Sequence, residues 1–231
     1  MSKSNSANAL ISAHADPADA AGSTTSATGG ASRVQRRRDR RRAEIVHTAT
    51  RVLSESGYQG MSLEDVAERT DIAKATLYHY FPSKDALVDA ALEALTVEVL
   101  SRLEARRKSV ENGSAEDILR ALVDEQILIL TEIAPENASV FSWPRAWPES
   151  LAEKLKDIRV RHNAPFRDVV VKGVSSGEFS CPNLKVSMQC LHGILNQSPV
   201  WIRPDVASRD RALVRKDVVD CALRIFLAPA D

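Results

Sequence analysis

From Ile45 the apolar side chains recur at intervals of three and four: Ile45, Ala49, Val52 and Leu53, followed by Gly57. That spacing gathers them on one face of a helix, and a glycine just past the last apolar position stops it, so a helix is predicted over 37–56. Ser62 then precedes Leu63, Glu64 and Asp65, a hydroxyl cap with acids in the first turn, which opens a short helix to about Arg69. Thr70, Asp71 and Ile72 interrupt the pattern, and a second short helix is predicted from 73 to about 80. Pro82 cannot extend it, and Ser83 caps a long fourth helix with Leu87, Ala91, Leu95, Val99 and Leu103 on one face, ending near Lys108.

Beyond the connection at 110–114 nothing alternates as a strand does. Ile118, Leu119, Leu122, Val123, Ile127, Ile129, Leu130 and Ile133 make a helix apolar on most sides, as a central buried helix is. The stretch 135–148 carries Pro135, Pro144 and Pro148 and is expected to be broken helix or loop. A helix over 150–176 should be kinked or split at Pro165, with Gly177 as its stop. Helices over 183–197 and 208–227, separated by a proline-bounded loop through Trp201 and Pro204, complete an all-α chain of about nine helices.

Composition changes this picture at the start of the chain. Residues 1–32 are Ser, Ala, Gly and Asp with almost no large apolar side chain, too few to offset the entropy of ordering, so a disordered leader is expected there. The chain has no apolar run of the ~20 residues that cross a bilayer, and its polar start has no secretory pattern; a cytoplasmic protein with no membrane partner is expected. Cys181, Cys190 and Cys221 are odd in number and widely spaced, which argues against a disulfide framework or a zinc site. Net charge is zero, yet seven arginines fall between Arg33 and Arg42, at 33, 36, 37, 38, 40, 41 and 42, opposed only by Asp39. A run like that is either a solvated tail or an anchor on nucleic acid.

Two short helices joined by a three-residue turn and flanked by longer ones have the geometry of a helix-turn-helix. The segment from Leu63 to Leu87, LEDVAERTDIAKATLYHYFPSKDAL, resembles the DNA-binding signature of TetR-family transcriptional regulators. The resemblance implies a dimeric, all-helical regulator, usually a repressor, with a larger C-terminal domain for a small-molecule inducer. In physical terms Val66, Ala67, Ile72 and Leu77 would lock the two short helices together. Lys74, Thr76, Tyr78 and His79 are too polar for a buried face and suit phosphates, thymine methyls and base edges. Ser62 and Lys84 sit at helix N-termini, where backbone N–H groups favour a phosphate. Arg40, Arg41 and Arg42, with the rest of the run, add affinity with little sequence information. Two positions depart from the family pattern: Asp71 stands at the usual glycine, and Ala73 replaces a frequent capping serine, which should cost the recognition helix about 1 kcal/mol.

The domain organisation expected is a leader at 1–32, a DNA-binding domain with its basic arm at 33–83, and a ligand-binding and dimerisation domain at 84–231, joined by the helix 84–108. Phe141, Trp143, Trp147, Phe166, Met188, His192, Asn196 and Trp201 are the candidate pocket residues, although each also suits plain core packing. The segments 173–179 and 191–204 faintly resemble TetR relatives that answer to acyl or steroid-derived coenzyme A thioesters, which makes such a thioester the candidate effector. Val214, Val218, Cys221, Ala222 and Ile225 form an apolar stripe on the last helix, a homodimer face unless it covers the chain's own core. The DNA partner expected is then a palindromic double-stranded operator. No cofactor or metal is implied: His14, His47, His79, His162 and His192 have no metal-ligand spacing, and neither a phosphate loop nor a GxSxG elbow is present. A ligand-independent architectural DNA binder is the alternative; the roughly 120-residue helical half argues against it.

Overall fold

The computed structural model describes residues 27–135, 138, 147–203, 205 and 207–227. The chain divides into two units, Met1–Asp39 and Arg40–Asp231. In the first, the described residues from Ala27 are helical, Gln35 Nε2 donates to Asp39 Oδ1 at 2.8 Å, and Arg33, Arg36, Arg37 and Arg38 are exposed. Helix α1 (Ala27–Gly60) therefore starts inside the stretch expected to be a leader: the Arg- and Gln-rich turns from Arg33 are good helix formers, and the helix they start continues back through Ala31, Gly30 and Gly29 although glycine favours it least. The rest of that leader, residues 1–26, lies outside the described residues.

Gly57 breaks α1 where the sequence placed its stop: φ 68° and ψ 176° lie in a region open to glycine, and Met61 N–H returns to the Gly57 carbonyl. Helix α2 (Leu63–Arg69) is capped by Ser62, whose hydroxyl accepts from Asp65 N–H at 3.0 Å. In the turn that follows, Asp71 takes the left-handed conformation at φ 51°, the position at which the short polar side chain substitutes for glycine. Helix α3 (Lys74–Tyr80) starts at Ala73 with no side-chain cap. Ser83 caps α4 (Lys84–Ser109), whose last turn carries Arg106, Arg107 and Lys108 at the negative end of its dipole.

A Ser114–Asp117 capping box opens α5 (Ala115–Leu128), which runs into a π-helical turn, Ile129–Ile133. After a 3₁₀ turn at Glu149–Leu151, α6 (Ala152–Ser176) passes through Pro165 as one helix, so the split considered above does not occur, and it ends at left-handed Gly177. Helix α7 (Leu184–Trp201) also passes a proline and absorbs the loop expected around Trp201. Pro199 has no N–H for the Leu195 carbonyl, but the buried Ser198 hydroxyl donates to that carbonyl at 2.7 Å, so the helix loses little there. Helix α8 (Ser208–Leu223) is the last, making eight α-helices among the described residues, and Phe226 and Leu227 turn back with bonds to the Leu223 carbonyl.

Two apolar cores result. One joins α1, α2, α3 and the first half of α4 through Ile45, Leu53, Val66, Leu77, Phe81, Leu87 and Leu92, and takes in Leu151 and Ile158. The other is built on α5, with Leu103 of α4, Phe166 and Val170 of α6, Leu191 and Leu195 of α7, and Val219, Ala222 and Leu223 of α8. The change of core falls between Leu95 and Val99, in the middle of α4 and beyond the 83/84 boundary read from the sequence. One unbroken apolar stripe serves both cores, so the pattern along α4 carries no mark of the change.

Candidate nucleic-acid interface and effector core

Val66, Ala67 and Leu77 are buried at the α2–α3 crossing and Ile72 packs against them, with Ile72 N–H bonded to the Ala67 carbonyl. This fixes which face of α3 is left over. Leu77 is fully buried, while its neighbours Tyr78 and His79 are exposed, Tyr78 by 43%, and Thr76 is half-buried. Lys74 is exposed at the first turn and ion-paired with Glu64 of α2, which raises the lysine's pKa and lowers that of the carboxylate. Glu64 was not among the sequence candidates; the pair spans two crossing helices, ten residues apart, and only the crossing brings it together. Arg42 lies over the Phe81 ring at 4.9 Å, Arg41 pairs with Glu44 at 2.7 Å, and Arg40 is exposed. The Ser62 hydroxyl is engaged by its own helix, and the Lys84 ammonium sits 4.4 Å above the Tyr58 ring.

That ring belongs to a junction the sequence did not reveal. Tyr58 and Ser150 both donate to the two carboxylate oxygens of Asp85, Ser150 at 2.6 Å. These bonds, Ser150's first, hold the Asp85 carboxyl below its usual range. Further along α4, Glu93 receives both arms of the Arg161 guanidinium at 2.9 and 2.7 Å and the Lys154 ammonium at 2.7 Å, and its pKa falls to about 2. Helix α6 thus grips α4 beside the helix-turn-helix. Trp147 belongs here, its ring 6.2 Å from that of Tyr58, and not in the C-terminal pocket to which its proline-rich surroundings assigned it. The junction is a better place for its large ring because Tyr58 and Leu155 leave an apolar face there.

Of the other pocket candidates, Phe166 and Met188 are buried in the C-terminal core and His192 is partly buried beside Phe166, the rings 5.9 Å apart and edge-on. Asn196 is exposed, one turn on but around the helix from the core, and Trp201 is 47% exposed at the end of α7. Neither lines that core. Phe141 and Trp143 lie outside the described residues. His162 of α6, absent from the candidates, packs at a tilt against both Phe166 and His192 and bonds to Gln126 of α5 at 2.9 Å. Elsewhere an open groove of about 660 Å³ runs between the end of α4, α5 and α8, with Arg106, Arg120, Arg215 and Lys216 in its walls.

The stripe on α8 is turned inward. Val218 and Ala222 are buried in the chain's own core, Val214 and Ile225 pack against it, and Cys221 is exposed. The reason is the α5–α8 contact, which Arg120–Asp220 and Arg215–Asp124 ion pairs flank. Among the exposed apolar side chains, Val186, Val200 and Trp201 of α7 fall in line with exposed Cys190, Gly193 and Gln197 at helical spacing.

Residues 45–91 match the family model of bacterial regulatory proteins, tetR family, and residues 112–226 match the tetracyclin repressor-like C-terminal domain. The chain belongs to the TetR family. BetI, an HTH-type transcriptional regulator of Escherichia coli O17:K52:H18 (strain UMN026 / ExPEC), is 24% identical over 115 residues, 50% of this chain and 57% of that protein. The chain thus spans little more than half the length of this curated TetR-type relative. Two solved structures share the fold with a TM-score of 0.66 and 18% identity: FadR of Bacillus subtilis in complex with stearoyl-CoA, covering 82% of this chain and 99% of that one, and AibR in complex with isovaleryl coenzyme A and operator DNA, covering 82% and 100%. Among the described residues no helix is long and apolar enough to cross a membrane.

Proposed function

We propose that this TetR-family chain is a cytoplasmic, homodimeric repressor that reads a palindromic operator through the exposed face of α3 and leaves it when an acyl coenzyme A thioester enters the C-terminal core. The observation that carries the reading is the division of α3: Leu77 is locked into a packed scaffold while Tyr78 and His79 are exposed beside it, and Lys74 is exposed with only Glu64 of α2 as its partner. A rigid scaffold that presents polar side chains in register suits the major groove. Arg40, Arg41 and Arg42 and the preceding arginines supply phosphate contacts, and Ser62 and Lys84 lie at helix N-termini suited to the same task. The effector half of the reading is supported by the fold shared with FadR and AibR, which hold stearoyl-CoA and isovaleryl coenzyme A. The dimer face assigned is that of α7, through Val186, Cys190, Gly193, Gln197, Val200 and Trp201.

The experiment is a fluorescence-anisotropy titration of operator DNA in the presence and absence of stearoyl-CoA and isovaleryl-CoA. One thioester is expected to weaken operator binding, and saturating operator must then weaken that thioester by the same factor, because the coupling is reciprocal. Operator affinity unchanged by both thioesters would remove the effector from the reading and leave DNA recognition to stand on its own test.

A further inference from the structure

Buried polar side chains in this fold are nearly all used locally. Thr50, Thr70, Thr96 and Ser198 each donate to a carbonyl of their own helix. Gln126 is different: it is 4% exposed on α5, and its Oε1 meets His162 Nε2 of α6 at 2.9 Å. Beside that pair, His192 of α7 places its ring 5.9 Å from His162 and from Phe166, and its Nε2 is buried with no hydrogen-bond partner among the described residues. Three helices thus converge on one polar spot inside an apolar core, and one of its atoms is left unsatisfied. A buried group in that position carries its full desolvation cost until something occupies it.

The character of the spot follows from what surrounds it. Burial pushes His192 down to about 4, with His162 adding to the effect, and burial likewise lowers His162, so both rings are neutral at pH 7. The contacts of the two rings are Gln126, Asn163, Phe166 and each other, and none of these is a cation. The nearest guanidinium in sequence, Arg161, is committed to Glu93 and Asp157. A carboxylate brought here would be desolvated with no counter-charge, whereas an uncharged carbonyl would satisfy an Nε2–H, the favoured tautomer of a neutral imidazole. On either side of His192 along α7, Met188 and Leu195 continue the apolar lining, and Met188 is a side chain that repacks readily around a guest chain.

We infer that Gln126, His162 and His192 form a neutral anchor for the effector, in which His192 Nε2–H donates to the carbonyl oxygen of an acyl thioester and discriminates against the free acid. The inference rests on the reading of the C-terminal half as an effector domain. Its further content is the atom that is recognised and the ligand charge that is refused. Gln126 holds the His162 ring, which in turn packs on His192, so Gln126 and His162 are positioning residues and His192 makes the contact.

The test uses the full-length protein and five probes: stearoyl-CoA, isovaleryl-CoA, stearate, isovalerate and coenzyme A. Calorimetry is expected to show one thioester binding at least about tenfold more tightly than its own acid, the scale of one buried hydrogen bond. His192→Phe should lose about tenfold for that thioester, while His192→Gln, which keeps a donor, should stay within about threefold, and neither should alter binding of coenzyme A alone. Nitrogen-15 NMR of the wild type reads the contact directly, as a shift of the His192 Nε2 resonance on addition of the thioester with the ring remaining neutral, and it decides the matter if His192→Phe does not fold. A thioester that binds and releases operator DNA while His192 Nε2 does not move, or an acid that binds as tightly as its thioester, overturns the anchor and leaves the proposed function standing. Failure of both thioesters to bind overturns the anchor and the acyl-effector reading together.

Discussion

Gly173 shows how one atom is constrained in this fold. A Cβ there would lie 2.3 Å from the buried Phe179 ring, which is held where the chain leaves α6 by the Phe179 backbone N–H donating to the Gly173 carbonyl. Gly173→Ala should therefore destabilise the C-terminal core by about 1–3 kcal/mol, read as a lower melting temperature, despite the better helix propensity of alanine. His192 gives a second residue-scale prediction. Its folded pKa, about 4, lies below the unfolded 6.5, so the unfolded chain binds more protons in that window and stability falls as pH drops from 6.5 toward 4. Urea unfolding at pH 7 and pH 5 should show that loss in the wild type and a smaller one in His192→Phe. At this scale the exposure of Tyr78 and His79 was legible because polar side chains crowded on a short helix cannot all be buried. Glu64, His162 and Gln126 were not, since each owes its role to a partner on another helix.

At the scale of elements, caps and stops were the readable signals. Ser62 and Ser83 bond the backbone three residues on, and Gly57 and Gly177 take the positive φ that a helix stop uses; the Ser114 cap was not read from the sequence. Helices through Pro165 and Pro199 were harder to foresee, because what rescues Pro199 is a serine hydroxyl directed at one particular carbonyl. The stripe of α8 was legible as apolar but not as inward-facing, since periodicity reports a buried face without naming its partner. The α4–α6 junction was not legible at all, being made of charges far apart in sequence. It bears on stability in a defined way. Glu93 falls from 4.5 to about 2 on folding, so its contribution is complete above about pH 4.5 and is lost as pH falls through about 2; Glu93→Gln should flatten the acid limb of the unfolding curve measured by circular dichroism.

For the proposed dimer the decisive quantity is the spacing of two α3 helices, which would have to enter successive major grooves about 34 Å apart. That spacing needs a second copy, and the α7 face offers a clean test of where it sits. A Cβ on Gly193 meets nothing within 4 Å of its own chain, so Gly193→Glu should leave the protomer folded yet place a charge in the proposed contact. Sedimentation at micromolar concentration is expected to show a dimer for the wild type and a helical monomer for Gly193→Glu; a variant that remains dimeric moves the interface off this face. In the proposed complex the arginines would contribute through charge. Replacing Arg36, Arg37, Arg38, Arg40, Arg41 and Arg42 with alanine should weaken binding to all DNA sequences alike and flatten its dependence on salt, as lost phosphate contacts release fewer counterions.

The most direct measurement of the central claim, that the exposed face of α3 reads DNA sequence, is selection of bound duplexes from a random library by the wild type and by a Tyr78→Ala, His79→Ala double variant. The account predicts that the wild type enriches a palindrome whose half-sites are about 10 base pairs apart centre to centre, or a multiple of that repeat, and that the variant, equally helical and equally dimeric, enriches none. Recovery of the same palindrome by the variant, or of no sequence by the wild type, would contradict it.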